Sequence, residues 1–296
     1  MAAAGDATMV RATGAGGAPR TTGARSGTPA RVAIYVLLLL GAALALLPMV
    51  WMVSASLMPT GDASSFPPRL FPRAVTLEHY RDLFTRLALG RSLANSALIA
   101  AVVTAASVLV NSMAGYALAK LRFRGRRGVF RGLSIGLILP SQVAMLPLFL
   151  LMKELHLVNT YWGVIIPGLA SIFAILLTYQ YALAIPDDLL DAARVDGASE
   201  LQIYRHVVLP VIAPILATLA IWTFLATWND FMWPLIVLSD DRRYTLPVAL
   251  ANLVGEHVQD TELMMAGSVV TVLPVMLVFL FLQRYYVRGI TAGSVK

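Results

Sequence analysis

The chain has 296 residues, of which 58% are hydrophobic and 13% charged, with a mean hydropathy of +0.74, a formal net charge of +7 and no cysteine. A soluble domain of this length does not carry such a balance, and the missing cysteines exclude disulfide staples and thiolate chemistry. What remains is an integral membrane protein.

Residues 1–30 are mostly Gly, Ala, Ser, Thr and Arg with almost nothing to bury, and read as a disordered cytoplasmic tail. From residue 31 onward six apolar windows follow: Val32 to Val53, Ser92 to Ala119, Gly132 to Met152, Leu157 to Ile185 (with its span at about 162–185), Val207 to Asn229, and Leu263 to Gln283. Each is long enough to cross a bilayer, which takes about 20 apolar residues. Long unbroken runs select helices over a closed barrel, so the expected fold is all-α with six transmembrane helices over 31–296. The first window is too long for a signal-peptide core and lacks a small-residue cleavage site, so it reads as a retained helix. Prolines inside the windows, Pro140, Pro147, Pro167, Pro214 and Pro274, predict kinks, as expected where helices move against one another.

Six spans place both termini on one side of the membrane. Lys and Arg on that side outnumber those on the other by about two to one, which makes it the cytoplasm. The cluster Arg122, Arg124, Arg126 and Arg127 contributes most to that bias and reads as a topology determinant rather than a nucleic-acid site.

Between the fourth and fifth windows lies a water-compatible island, residues 186–206. Pro186 with Asp187 and Asp188 suits a helix start, where carboxylates favour the positive end of the helix dipole. Gly197 supplies a stop, and Ser199 with Gln202 has the form of a capping box that opens a second helix. The predicted shape is helix, sharp bend, helix. Its apolar side chains from Leu189 to Val195 gather on one face, and Ala192 and Ala193 are small enough to let another protein come close.

Catalytic chemistry finds no support. His79, His156, His206 and His257 fall in loops or at helix ends, none at metal-ligand spacing, and there is no Gly-Lys-Ser or Gly-Lys-Thr for phosphate binding. The chain is therefore expected to hold no metal or cofactor and to hydrolyse no ATP by itself. A proton- or sodium-coupled carrier buries a carboxylate near mid-membrane, but the only acidic residue interrupting an apolar stretch, Asp230, lies near the outer interface. There it belongs to a Trp228-Asn229-Asp230 turn, which Trp228 and Trp233 would anchor at the interface. Polar and aromatic residues inside the windows form a candidate solute path: Asn111 and Tyr116, Gln142, Tyr179 and Gln180, Trp222, Trp228, Asn229 and Asp230. Amide and hydroxyl groups beside aromatic faces suit sugars, although interhelical hydrogen bonding explains the same residues.

Asp191-Ala192-Ala193, Gly197, Val207 and Leu209-Pro210 together resemble the cytoplasmic loop signature of bacterial ABC importer permeases, usually Glu-Ala-Ala, Gly, then Ile-x-Leu-Pro. Asp191 for Glu and Val207 for Ile keep charge and branched apolar character. Pro48-x-x-Trp51, Asn95-Ser96, Ala114-Gly115-Tyr116-Ala117 leading to Leu121-Arg122-Phe123-Arg124-Gly125, Asn159-Thr160-Tyr161-Trp162, Trp228-Asn229-Asp230-Phe231 and the tail from Gly289 to Lys296 extend the resemblance to carbohydrate-uptake permeases of the maltose-transporter type. The resemblance implies a multi-pass subunit of the bacterial plasma membrane. It would pair with a second permease, two ATPase subunits carrying ATP and Mg, and an extracytoplasmic solute-binding protein. It also implies that the handle sits in an ATPase groove through Asp187, Asp188, Asp191, Ala192, Ala193, Asp196, Gly197, Ala198 and Tyr204, and that the loop from Asp240 to Glu262 faces the binding protein. The solute is left open among disaccharides, larger oligosaccharides and glycerol 3-phosphate. The competing class, a single-chain carrier or channel, predicts transport by this chain alone.

Overall fold

The computed structural model of the chain describes residues 28–67, 69–256 and 260–292, so nearly all of the expected tail, His257 and residues 293–296 lie outside the description. The chain divides into units 1–48 and 49–296. Helix α1 (Thr28–Ala55) carries Pro48 and runs through the boundary.

In the larger unit α2 (Glu78–Thr85) leads into α3 (Leu89–Lys120), the helix around which the rest is arranged. Its buried face bears Ser92, Asn95, Ser96, Ser107, Asn111 and Ser112, small or hydrogen-bonding residues that let neighbouring backbones approach closely. The neighbours are α7 (Ile172–Leu183) and α10 (Leu209–Trp228). At the crossing of α3 and α7 a Cβ on Gly115 would lie 2.6 Å from Thr178 Cβ and 2.8 Å from the Ile175 carbonyl oxygen. Because one obstacle is backbone, no rotamer relieves it. Gly115→Val should therefore cost about 3 kcal/mol, the upper end of the usual overpacking range, and reduce folded protein. Gel filtration of a fluorescent fusion measures this, and a normal monodisperse peak would refute the close crossing.

The expected third span, 132–152, is not one helix. Helix α4 (Arg126–Gly136) ends at Leu137, a short 3-10 turn covers Ser141–Ala144, and α5 (Met145–Glu154) follows. Pro140 lies in the break with extended backbone, and its ring pushes the preceding residue away from helical geometry. Among the described residues five helices are long and apolar enough to cross a membrane, and this interrupted segment stands where the sixth was expected.

The fourth span is also interrupted, between α6 (Tyr161–Gly168), which carries Pro167, and α7. An opened backbone in lipid must find new partners. Asn111 supplies them: its amide donates to the Leu169 carbonyl at 3.3 Å and its oxygen accepts from Ser171 N–H at 3.0 Å, while Ser171 caps α7.

After α7 come α8 (Asp187–Val195) and α9 (Glu200–Ile203), which continues through a π turn at Tyr204–Val208 into α10. Pro210 has no N–H for the His206 carbonyl, and the wider turn, with Leu209 N–H bonded to Tyr204 O, absorbs that loss. Helices α11 (Met232–Val237), α12 (Leu246–Glu256) and α13 (Thr261–Ala292) complete the unit. The segment expected as a loop from Asp240 to Glu262 thus contains a helix. It is pinned to α3 because Asn95 donates to the Arg242 and Tyr244 carbonyls and Ser96 accepts from Leu246 N–H.

Candidate functional site

Helix α8 begins after Pro186, which takes the extended cap position, with Asp187 and Asp188 in the first turn and Arg194 in the last. Each charge sits where the helix dipole favours it. The helix stops at Gly197, whose φ is +83°. Gly197 N–H bonds Arg194 O at 3.0 Å and Ala198 N–H bonds Ala193 O at 3.0 Å, the paired bonds of a Schellman stop. The capping box at Ser199 is complete: Gln202 N–H donates to Ser199 Oγ and Ser199 N–H to Gln202 Oε1. Stop and start lie within a few residues, which makes the bend sharp and rigid.

Three links fasten this handle to the end of α3. Lys120, its side chain only 7% exposed, donates to Asp187 Oδ1 at 2.7 Å and to the Ile185 carbonyl at 2.6 Å. Tyr116 donates to Glu200 Oε2 at 2.8 Å, Glu200 Oε1 accepts from Arg194 at 2.8 Å, and Arg194 also donates to Asp191 at 2.6 Å. Ser112 and Tyr204 share a hydrogen bond of 2.6 Å. The Lys120 ammonium beside Asp187 holds that carboxyl below the usual carboxylate range. Beneath the links Leu190, Ile203, Tyr204 and Val208 pack with Tyr116, Ile185, Ile212 and Ile215 as one apolar cluster.

The outer side of the handle is different. Leu189, Ala192, Val195 and Leu201 are exposed, Val195 at 87%, and Asp187, Asp188, Asp191, Asp196 and Gly197 lie around them in solvent. Ala193, Ala198 and Tyr204, expected among the residues that contact the ATPase, turn inward: the two alanines are half-buried against the apolar cluster and Tyr204 is buried. Sequence reasoning did not find Lys120, Ser112, Arg194 or Glu200 as anchors. Only Arg194 and Glu200, flanking the bend, offered a local signal.

The residues expected along a solute path divide. Asn111 is fully buried and spent on the break before α7, and Tyr116 is spent on Glu200. Tyr179 packs on Phe130, ring centroids 4.9 Å apart. Trp228 and Trp233, expected as interfacial anchors, are buried and donate to the Thr271 and Gly163 carbonyls. Asp230 caps the following helix by accepting from Trp233 N–H. Gln142, Gln180, Trp222 and Asn229 are exposed, Trp222 on α10 and Asn229 at the cap that ends it, seven residues on. Among the described residues no group of three or more metal-ligating side chains comes together; His79 lies 4.0 Å from Asp260 and bonds the Met58 carbonyl.

The family described as "Binding-protein-dependent transport system inner membrane component" matches residues 111–292, a stretch that holds the whole handle and its anchors. The chain belongs to this family. The arabinooligosaccharides transport system permease protein AraQ of Halalkalibacterium halodurans is 42% identical over 76% of this chain and 81% of its own length, and AraQ of Bacillus subtilis is 35% identical over 90% and 96%. Similar in structure is a chain in the crystal structure of a bacterial ABC transporter involved in the import of the acidic polysaccharide alginate. It has a TM-score of 0.77 and 27% identity, covering 88% of this chain and 98% of that one. The chain is thus a multi-pass permease of the ABC importer fold, and in such importers ATP hydrolysis occurs in separate ATPase subunits.

Proposed function

We propose that this permease passes a di- or oligosaccharide into the cytoplasm and that its handle is the ball of a ball-and-socket joint with one ATPase subunit, where ATP and Mg are bound. The carrying observation is the two-sided handle: an outer edge of exposed Leu189, Ala192, Val195 and Leu201 ringed by carboxylates, and an inner side fastened to α3. Exposed apolar groups on a water-compatible loop are what a docking surface requires, and rigid anchoring carries a displacement of the handle into the spans. Both termini then face the cytoplasm, an orientation that the excess of Lys and Arg on that side supports. Segment 240–262 faces the solute-binding protein, and the exposed Trp222 and Asn229 are this chain's contacts to the solute. The sugar class rests on the relatives' names, which include arabinooligosaccharides for AraQ and trehalose for SugB of Mycobacterium tuberculosis.

Affinity purification of the tagged chain from its native membranes, with mass spectrometry of its companions, tests the reading. A second permease and a Walker-type ATPase are expected, with uptake in vesicles that requires ATP. Purification of the chain alone, with solute movement that ignores ATP, would instead establish a single-chain carrier.

A further inference from the structure

The arginines after α3 do more than orient the chain. A cavity of about 410 Å³ opens between α4 and the ends of α3 and α7, lined by Leu118, Arg126, Arg127, Phe130, Arg131 and Tyr179. Among the described residues no carboxylate lines it. Arg126 is committed, donating to the Ala119 and Leu121 carbonyls at the end of α3. Arg127 and Arg131 are exposed, four residues apart on one face of α4, and neither is in any of the ion pairs among the described residues. Phe130, on α4 beside them, packs on Tyr179 of α7, so the floor between the two helices is aromatic. Two arginines lining one cavity with an aromatic pair match an anion that is covalently joined to hydrocarbon.

The depth fits as well. Leu118 is two residues before the end of α3 and Tyr179 four before the end of α7, so the floor lies about 3–6 Å inside the helix ends. The headgroup layer of a bilayer is about 5–7 Å thick on each side. Beyond Arg131, α4 and the turn after it present Ile135, Leu137, Ile138 and Leu139 as exposed apolar groups suited to acyl chains.

We propose that this cavity holds the headgroup of an anionic phospholipid, its phosphodiester between Arg127 and Arg131 and its glycerol against Leu118, Phe130 and Tyr179. Basic pockets at this level between spanning helices are where acidic headgroups are retained. An acidic protein surface would use the arginines but leave the aromatic pair and the apolar run unexplained. Only Arg126 borders both this cavity and the handle, and Arg127 and Arg131 take no part in the handle's links, so failure of the site would leave the coupling proposal untouched.

The full chain, purified with its companion subunits in mild detergent, is loaded with dioleoyl phosphatidylglycerol or phosphatidylcholine, and retained lipid is measured by native mass spectrometry. Phosphatidylglycerol should be retained selectively. The pair Arg127→Gln/Arg131→Gln should weaken its retention about thirtyfold, at roughly a kilocalorie per basic side chain. Arg122→Gln/Arg124→Gln, an equal change of charge outside the cavity, should leave it within about twofold. Equal losses in both pairs would mean diffuse attraction, and no loss in either would empty the site; both overturn the proposal. Displacement of the lipid by inorganic phosphate would also overturn it, in favour of a free-anion site. Should the Gln pair fail to assemble, Phe130→Ala/Tyr179→Ala keeps every charge and must lower retention about tenfold through lost apolar contact; unchanged retention there ends the proposal.

Discussion

Gly197→Val abolishes ATP-driven uptake while the protein still inserts and folds. With φ at +83°, residue 197 occupies the left-handed region that L-residues enter at a cost of about 1–2 kcal/mol, more for a β-branched side chain. A Cβ at this position meets nothing within 4 Å, so the penalty is purely one of backbone conformation and does not disturb the packed core. The chain escapes it by giving up the paired bonds from Gly197 and Ala198, and the angle between α8 and α9 is lost with them. Because the apolar outer edge is split across the bend, with Leu189, Ala192 and Val195 before it and Leu201 after it, a changed angle removes the docking surface. Uptake should fall to background and the ATPase should no longer co-purify. Gly197→Asn is the informative partner, since asparagine tolerates the left-handed region; it should retain most of the uptake. Equal loss in both variants would show that the left-handed geometry is not the cause.

That bend was legible in the sequence because its causes are local. A glycine stop and a Ser-x-x-Gln capping box lie within a few residues of each other and close through hydrogen bonds of short sequence separation. The apolar windows were legible for the same reason, as composition, although composition did not show that the third is broken into two helices. What was not legible depends on contacts between distant residues or on how a proline is accommodated. Lys120 and Asp187 are 67 residues apart, and nothing near Lys120 distinguishes an anchor from one more basic residue at the end of a span. Asn111 looked like a solute contact because a buried amide in an apolar window fits either role. Its commitment to Leu169 and Ser171 appears only once the break before α7 is in place. Pro140 and Pro210 were visible as prolines, but one divides a span and the other sits just beyond a π turn inside a continuous helix. Sequence does not separate these outcomes, because the difference lies in which neighbours re-satisfy the backbone.

The second large effect is expected at Lys120. Its ammonium binds the Asp187 carboxylate, the Ile185 carbonyl at 2.6 Å and the Leu183 carbonyl at 3.4 Å, and so joins three things: the end of α3, the end of α7 and the start of α8. Lys120→Met preserves the length of the apolar stem but leaves the carbonyls without their donor, at about 1–3 kcal/mol for each that is not rehydrated. Asp187, mostly in water, simply resolvates. The outer edge of the handle is unchanged by the substitution, so the ATPase still docks. What is lost is one of the links by which a displaced handle draws α3 with it. Uptake should therefore drop by about tenfold or more, following that energy, while ATP hydrolysis by the assembled complex continues. The ratio of ATP hydrolysed to solute imported, measured in proteoliposomes, separates this variant from Gly197→Val, in which both fall. Acid should not mimic it within the range in which the cell lives. The Asp187 carboxyl is held below its ordinary value, so the contribution of the ion pair is present above the normal carboxylate range and fades only as pH falls through the lowered value. A pH profile of uptake that is flat from weakly acid to neutral in the native protein, together with a raised ATP-to-solute ratio in Lys120→Met, is the expected pair of results. If hydrolysis and uptake decline in step in Lys120→Met, the ammonium serves assembly of the handle rather than transmission through it.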